Sequence, residues 1–236
     1  MNNIVKPAII LALVAFVSSM VLSHIKKITY PSILKQEKEK QERALAIVLP
    51  GYTVGEQKNL TLDGTDFTYW PAEKDESGKM IKGYAFIASS PGYSGQVVSM
   101  VGVDDRDTIL GMSILQQSET PGLGARSIEV ASSSTFFGTI FGNNRGAREE
   151  TRPWFQLQFT GLNAKNKINI VKKGDWNEAL KDELASQNAV SAITGATITS
   201  RATIKGIEKA IGLLHTALER ETVEAAGKVT NQGGAR

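Results

Sequence analysis

Cysteine is absent from the chain, so no disulfide, thiolate nucleophile or protein-ligated iron–sulfur cluster can be built within it. Histidine is nearly absent. His24 and His215 are the only two, which excludes a His-rich metal site, and no metal ligands are expected. His215 falls in a helical stretch and reads as a solvated or partly packed helix residue. Neither sign of charge is in large excess: 27 Lys and Arg against 24 Asp and Glu leave a net +3. No basic patch interleaves with aromatic residues, so nucleic acid is not an expected partner. Also missing is a G-x-G-x-x-G turn at a strand–helix junction, which leaves no obvious seat for a nicotinamide dinucleotide. No catalytic triad or proton-transfer constellation shows itself, and no catalytic residue is assigned.

Asp, Glu, Lys and Arg are all absent from Pro7 to Ile25, a stretch rich in Ile, Leu, Val and Ala. As a helix it would span about 28 Å, close to a hydrocarbon core of roughly 30 Å. No clean small-x-small cleavage site precedes Lys26-Lys27, which favours a retained transmembrane anchor over a removed signal peptide. Residues 1–6 form a short tail before it. Counted alone, Lys26, Lys27 and Lys35 outweigh Lys6, and the positive-inside rule would keep the remainder of the chain in the cytoplasm. Residues 26–50 carry dense charge and then turn apolar from Ala44 to Leu49. This predicts a solvated helical stalk ended by Pro50-Gly51.

Residues 51–222 are expected to form the globular domain. Asp63-Gly64 and Ser77-Gly78 signal turns among short strands and loops, with the core beginning near Tyr84. Val97–Val103 and Ile109–Leu115 read as a hairpin turned at Asp104–Asp107. Phe155, Leu157 and Phe159 alternate with polar residues and predict a half-buried strand, and Ile168–Val171 predicts another. Trp176, Leu180 and Leu184 sit at helical spacing. The segment from Ser127 to Arg152 gives no clear signal, and residues 223–236 read as a disordered tail. The fold class expected is α+β, an antiparallel-rich sheet with flanking helices, preceded by one N-terminal transmembrane helix.

The most informative stretch is Thr194-Gly195-Ala196-Thr197-Ile198-Thr199-Ser200. It follows the apolar run Ala189–Ile193 and opens an amphipathic segment whose stripe is Ala202, Ile204, Ile207, Ile211, Leu214 and Leu218. Thr199 or Ser200 can cap the helix start, and Gly195 permits a sharp turn and close approach of a ligand. Threonine hydroxyls and free N–H groups then converge where the helix dipole favours negative charge, an arrangement suited to phosphate. A capped helix start without a ligand is the alternative reading of these residues. Upstream, Glu119-Thr120-Pro121-Gly122-Leu123-Gly124 is a loop with a fixed φ at Pro121 and two glycines, either a tight turn or a surface for close approach.

Thr194-Gly195-Ala196-Thr197 resembles the S/T-G-A-T flavinylation motif of the FMN-binding domain family. Glu119–Gly124 is similar to the family's E-T-P-G-L-G loop, and Gly92-Tyr93-Ser94-Gly95 is similar to a third block. The three stand in the family's order. One position departs: the family often has Asp three residues before the motif, where this chain has Ser191. The resemblance implies FMN attached covalently through a phosphoester to Thr197, with Thr194, Gly195, Ala196, Thr199 and Ser200 around it. It further implies that Glu119, Thr120, Gly122, Leu123 and Gly124 approach the flavin, Leu123 on the ring face and Glu119 or Thr120 on its polar edges. A separate flavin transferase, using FAD and a metal ion, would supply the attachment chemistry. Members serve as electron-relay subunits of membrane-bound, ion-translocating complexes of the ferredoxin:NAD and NADH:quinone reductase kinds. Partners would thus be membrane subunits and subunits carrying iron–sulfur or flavin centres. The resemblance places the domain on the outer, periplasmic face, opposite to the local charge count. An exported binding domain without cofactor, or an enzyme with a dissociable nucleotide at the helix start, are the other readings.

Overall fold

The computed structural model describes residues 2–62, 64–130, 152–172, 174 and 178–232. It divides into two units, residues 1–43 and residues 44–236. The first is almost entirely one helix, α1, whose full run is Asn2–Val48. Its apolar part is long enough to cross a membrane and is exposed throughout. Pro7 and Pro31 both lie inside α1, so the expected anchor and stalk are one continuous element.

The second unit is built on a six-stranded antiparallel sheet. Its strands are β1 (Thr53–Val54), β2 (Lys58–Leu62), β3 (Thr65–Glu76), β4 (Lys79–Pro91), β5 (Gln96–Asp104) and β6 (Ile109–Gln116). The order is β1-β3-β4-β5-β6, with β2 sharing the β3 edge. The short strands expected before Tyr84 are in part long ones. β3 and β4 pair from Tyr69↔Phe86 to Glu76↔Lys79, and the connecting Ser77 and Gly78 both have positive φ, the geometry of a tight hairpin turn. The core therefore begins earlier than Tyr84, with Leu62, Phe67 and Tyr69. The β5–β6 hairpin forms as the two apolar runs and the turn between them predict.

Both faces of the sheet are covered. One carries Phe67, Tyr69, Phe86, Val101 and Val103 and is packed by the long helix α4 (Thr197–Gln232) through Ile204, Ile207, Ile211 and Leu214. The 3.6-residue stripe of that helix is the one the sequence displays. The opposite face carries Trp70, Ala85 and Met100 and is packed by Ala44, Val48 and Leu49. Gly102 and Gly111 are register partners. A Cβ on Gly102 would overlap the Val48 carbonyl, and one on Gly111 would lie 2.7 Å from the Ile47 carbonyl oxygen. The paired glycines form a saddle for the last turn of α1. The end of the expected stalk is thus part of the globular unit.

Three further expectations are corrected. Residues 154–157 form a short helix, α2 (Trp154–Leu157), not a strand. Pro153 starts it with φ −60°, and helical spacing brings Phe155 and Phe159 into edge contact, 5.4 Å between ring centroids. The alternation misleads because Gln156 and Gln158 are buried too. Gln156 Nε2 donates to the Ser127 carbonyl, and Gln158 Oε1 accepts from the Ser191 N–H. The helix expected from Trp176 is, among the described residues, a 3₁₀ turn at Glu178–Leu180 running into α3 (Lys181–Ser186). Trp176 itself, Asp63 and residues 131–151 of the unassigned stretch lie outside the described residues. Finally, α4 continues through the expected tail to Gln232, since Val223–Ala226 contains no helix breaker.

A two-stranded parallel pair completes the unit: β7 (Asn169–Val171) against β8 (Ala189–Ser191). Ala192 N–H extends the pairing to the Val171 carbonyl. β8 leads directly into Thr194–Thr197, so this pair sets where the helix start lies.

Candidate functional site

A cavity of about 660 Å³ opens where the loop after β6, the Gly92–Gly95 turn, the end of β7 and the start of α4 meet. Its volume suits a cofactor-sized ligand, for which sites run about 300–1,000 Å³. Thr194, Gly195, Ala196, Thr197 and Thr199 line it from one side, and Glu119, Thr120, Leu123 and Gly124 from another. Two motifs some eighty residues apart in sequence thus share one cavity. Of the other expected residues, Ser200 is buried behind the wall. Gly122, at φ +76°, lines a separate groove with Pro121 on the outer side of the loop.

The first turn of α4 is made in an unexpected way. The helix begins at Thr197, so Thr199 and Ser200 lie inside its first turn and neither caps it. Ser200 Oγ accepts from the Ile193 N–H at 3.0 Å and donates to the Ala196 carbonyl at 3.2 Å, tying the turn before the helix to its first residues. Gly195 has φ +78°, and a Cβ there would lie 2.9 Å from Leu123 Cδ2. Its lack of a side chain therefore serves both the left-handed turn and the closeness of the E-T-P-G-L-G loop. The first i→i−4 bond is Ser200 N–H to the Ala196 carbonyl, so the N–H groups of Thr197, Ile198 and Thr199 precede the helical ladder at its positive end.

The threonine hydroxyls are not equivalent. Thr199 Oγ1 donates to Glu119 Oε2 at 2.6 Å. Thr197 is half-buried on the cavity wall, and its hydroxyl makes no hydrogen bond among the described residues. Glu119 is 6% exposed, and its other oxygen accepts from the Tyr93 and Ser94 N–H groups at 2.9 and 3.1 Å. Ser191, at the position where Asp would be expected, is buried and donates its hydroxyl to the Gly174 carbonyl at 2.6 Å.

Sequence reasoning missed Lys172, and it noted Ile198 and Tyr93 only within motifs. Lys172 is a cation on the cavity wall. It arrives there because β7 pairs in parallel with β8, in register Val171↔Ser191, which sets Lys172 beside Ala192. Tyr93, Leu123 and Ile198 are apolar lining residues that remain 73%, 44% and 54% exposed. The wall therefore offers helix N–H groups and an ammonium for an anion, and aliphatic and aromatic surface for a flat ring. That donor set fits a nucleotide with a phosphate and a flat ring: Thr197 and the start of α4 could hold the first, and Leu123, Ile198 and Tyr93 the second. Among the described residues no cluster of metal-ligating side chains occurs.

Residues 92–212 match the FMN-binding domain family, and the chain belongs to it. Residues 1–48 match the RnfG N-terminal region. More particularly, the chain is similar over most of its length to the G subunits of ion-translocating complexes. It is 26% identical to the G subunit of the proton-translocating ferredoxin:NAD(+) oxidoreductase complex of Clostridium ljungdahlii, over 85% of this chain and 86% of that one. It is 28% identical to the G subunit of the ion-translocating oxidoreductase complex of Pseudomonas aeruginosa (strain UCBPP-PA14), over 96% of each. The solved C subunit of the Na(+)-translocating NADH-quinone reductase from Parabacteroides distasonis aligns with a TM-score of 0.49 and 20% identity, covering 77% of this chain and 92% of that one.

Proposed function

We propose that this chain is the G subunit of a membrane-bound, ion-translocating ferredoxin:NAD oxidoreductase complex of the Rnf type, relaying electrons through one FMN held covalently at Thr197. The observation that carries the covalent assignment is the sorting of hydroxyls. Thr199 is committed to Glu119, whereas Thr197 lines the cavity with its hydroxyl unengaged among the described residues. A threonine hydroxyl is a weak nucleophile and needs activation from outside, so a flavin transferase is the expected maturation partner. In that step the Thr197 Oγ–phosphorus bond forms as the pyrophosphate bond of FAD breaks. AMP leaves, and the hydroxyl proton passes to a base of the transferase.

Once bound, FMN supplies the capacity to accept and pass on electrons. The chain's own residues hold it. The N–H groups at the start of α4 would face the phosphodiester, Leu123 and Ile198 would offer apolar surface to the ring, and Lys172 brings a positive charge to the wall. The match of residues 1–48 to the RnfG N-terminal region favours the ferredoxin:NAD type of complex over the quinone-reductase type. The apolar part of α1 acts as a retained single span, and the domain stands on the outer face, where a tether prevents loss of a cofactor that cannot be refilled from the cytoplasm. The remaining partners are the membrane and redox-centre subunits of the same complex.

The test is expression of the full chain with a flavin transferase, followed by intact mass measurement. One FMN phosphoester per chain is expected, and its loss in Thr197→Ala. Equal labelling of Thr197→Ala would move the attachment to Thr194 or Thr199.

A further inference from the structure

We propose that Glu119 is the positioning residue of the flavin site, a strut that sets the spacing of its walls, and not a ligand of the flavin. This rests on the flavin reading above. Its carboxylate joins three segments distant in sequence: Oε1 accepts from the Tyr93 and Ser94 N–H groups, and Oε2 accepts from the Thr199 hydroxyl at 2.6 Å. Its own N–H donates to Gln117 Oε1 at 2.6 Å, which fixes the stem from which the side chain projects. The surrounding backbone is moulded to it. A Cβ on Gly92 would overlap Oε1, and one on Gly124 would lie 2.7 Å from Oε2 and 2.5 Å from Thr199 Oγ1.

Each segment so joined contributes to the cavity: Tyr93 from the first, Leu123 from the loop that Glu119 opens, and Thr197 from the helix turn that Thr199 shares. Holding Thr199 fixes the rotation of that turn, and with it the direction of the Thr197 hydroxyl two residues earlier. Both oxygens of Glu119 are engaged inwards, so the polar edges of a flavin would be met by other groups. Attachment demands that an oxygen reach a phosphorus in a narrow range of approach, and misplacement by about 1 Å can cost about a hundredfold in rate.

The experiment compares the full chain in detergent as wild type, Glu119→Gln, Glu119→Ala and Thr199→Val. Three quantities are measured: the rate of flavin attachment, the fluorescence anisotropy of the attached ring, and the melting temperature before attachment. Glutamine keeps an oxygen for the two amides and turns its NH₂ towards Thr199 Oγ1. Glu119→Gln should therefore attach flavin at a rate near wild type and hold the ring with equal anisotropy. Glu119→Ala and Thr199→Val should attach it about 10–100-fold more slowly and show lower anisotropy in whatever is labelled. Valine is close in shape to threonine, so Thr199→Val decides the matter if Glu119→Ala fails to fold. Wild-type rate and anisotropy in Thr199→Val would overturn the strut, as would a Glu119→Gln chain as impaired as Glu119→Ala. A wild-type chain that takes up no flavin would instead refute the flavin reading, and the inference with it.

Discussion

At the scale of single residues, the site depends on which side chains are missing as much as on which are present. Gly92, Gly124 and Gly195 leave room for Glu119, Thr199 and Leu123 to approach closely. Leu123 lies over Gly195 and on the cavity wall, so it should touch the ring and not the phosphate. Leu123→Ala is expected to leave attachment intact while changing the absorption envelope or the midpoint potential of the flavin. An unchanged spectrum and potential would make the loop purely structural. The residues legible in sequence were those within a contiguous block, Thr194–Thr199 and Glu119–Gly124. Lys172 was not legible, because only the β7–β8 register carries it to the wall. The motif resemblance singles out Thr197, but the partner of Thr199 was not legible, since it is one hydrogen bond to a residue eighty positions away.

Elements were legible where apolar residues recur at a helical spacing or run together between turn signals. The stripe of α4 is the first case, and the β5–β6 hairpin, with β5 buried on both faces and turned at Asp104–Asp107, is the second. Where polar side chains are buried on backbone partners, as Gln156 and Gln158 are, the same rule names the wrong element. Polar side chains tie helix α4 to other elements at several points along its length. Its first turn is tied to Glu119, and further along Glu221 accepts from Lys58 Nζ at 2.7 Å and from the Tyr69 hydroxyl. Burial pushes the Glu221 carboxyl up, but the hydrogen bonds from Lys58 and Tyr69 outweigh it and hold the group below its ordinary value of 4.5. Burial and the same hydrogen bond push the Tyr69 hydroxyl up. A lowered carboxyl contributes stability that is present above the unfolded value and lost as pH falls through the folded one. Melting temperature should therefore fall on acidification through about pH 4.5 and below, and Glu221→Gln should flatten that limb while lowering stability at neutral pH. Identical acid limbs in the two proteins would refute the assignment.

At the scale of the whole molecule, the described residues combine a candidate membrane helix with a cofactor-sized cavity lined by both motifs, and this suits a relay. Pro7–Ile25 holds no Asp, Glu, Lys or Arg that could carry an ion across a bilayer, and without cysteine the chain can hold no iron–sulfur cluster to receive electrons. The purified flavinylated chain should not be reduced by NADH at a rate above that of free flavin, whereas the assembled complex should reduce it. Rapid reduction in the isolated chain would make it a self-sufficient oxidoreductase.

The saddle at Gly102 and Gly111 decides where the chain can be cut. Ala44–Leu49 belong to the globular unit and cover Trp70 and Met100, so a fragment starting at Gly51 would bare that apolar face to water. A fragment starting at Gln41 keeps the cover and sheds the apolar span. The shorter fragment is expected to aggregate on expression and the longer one to elute as a monodisperse species on size exclusion, a difference of ten residues that charge and hydropathy alone would assign to a dispensable linker.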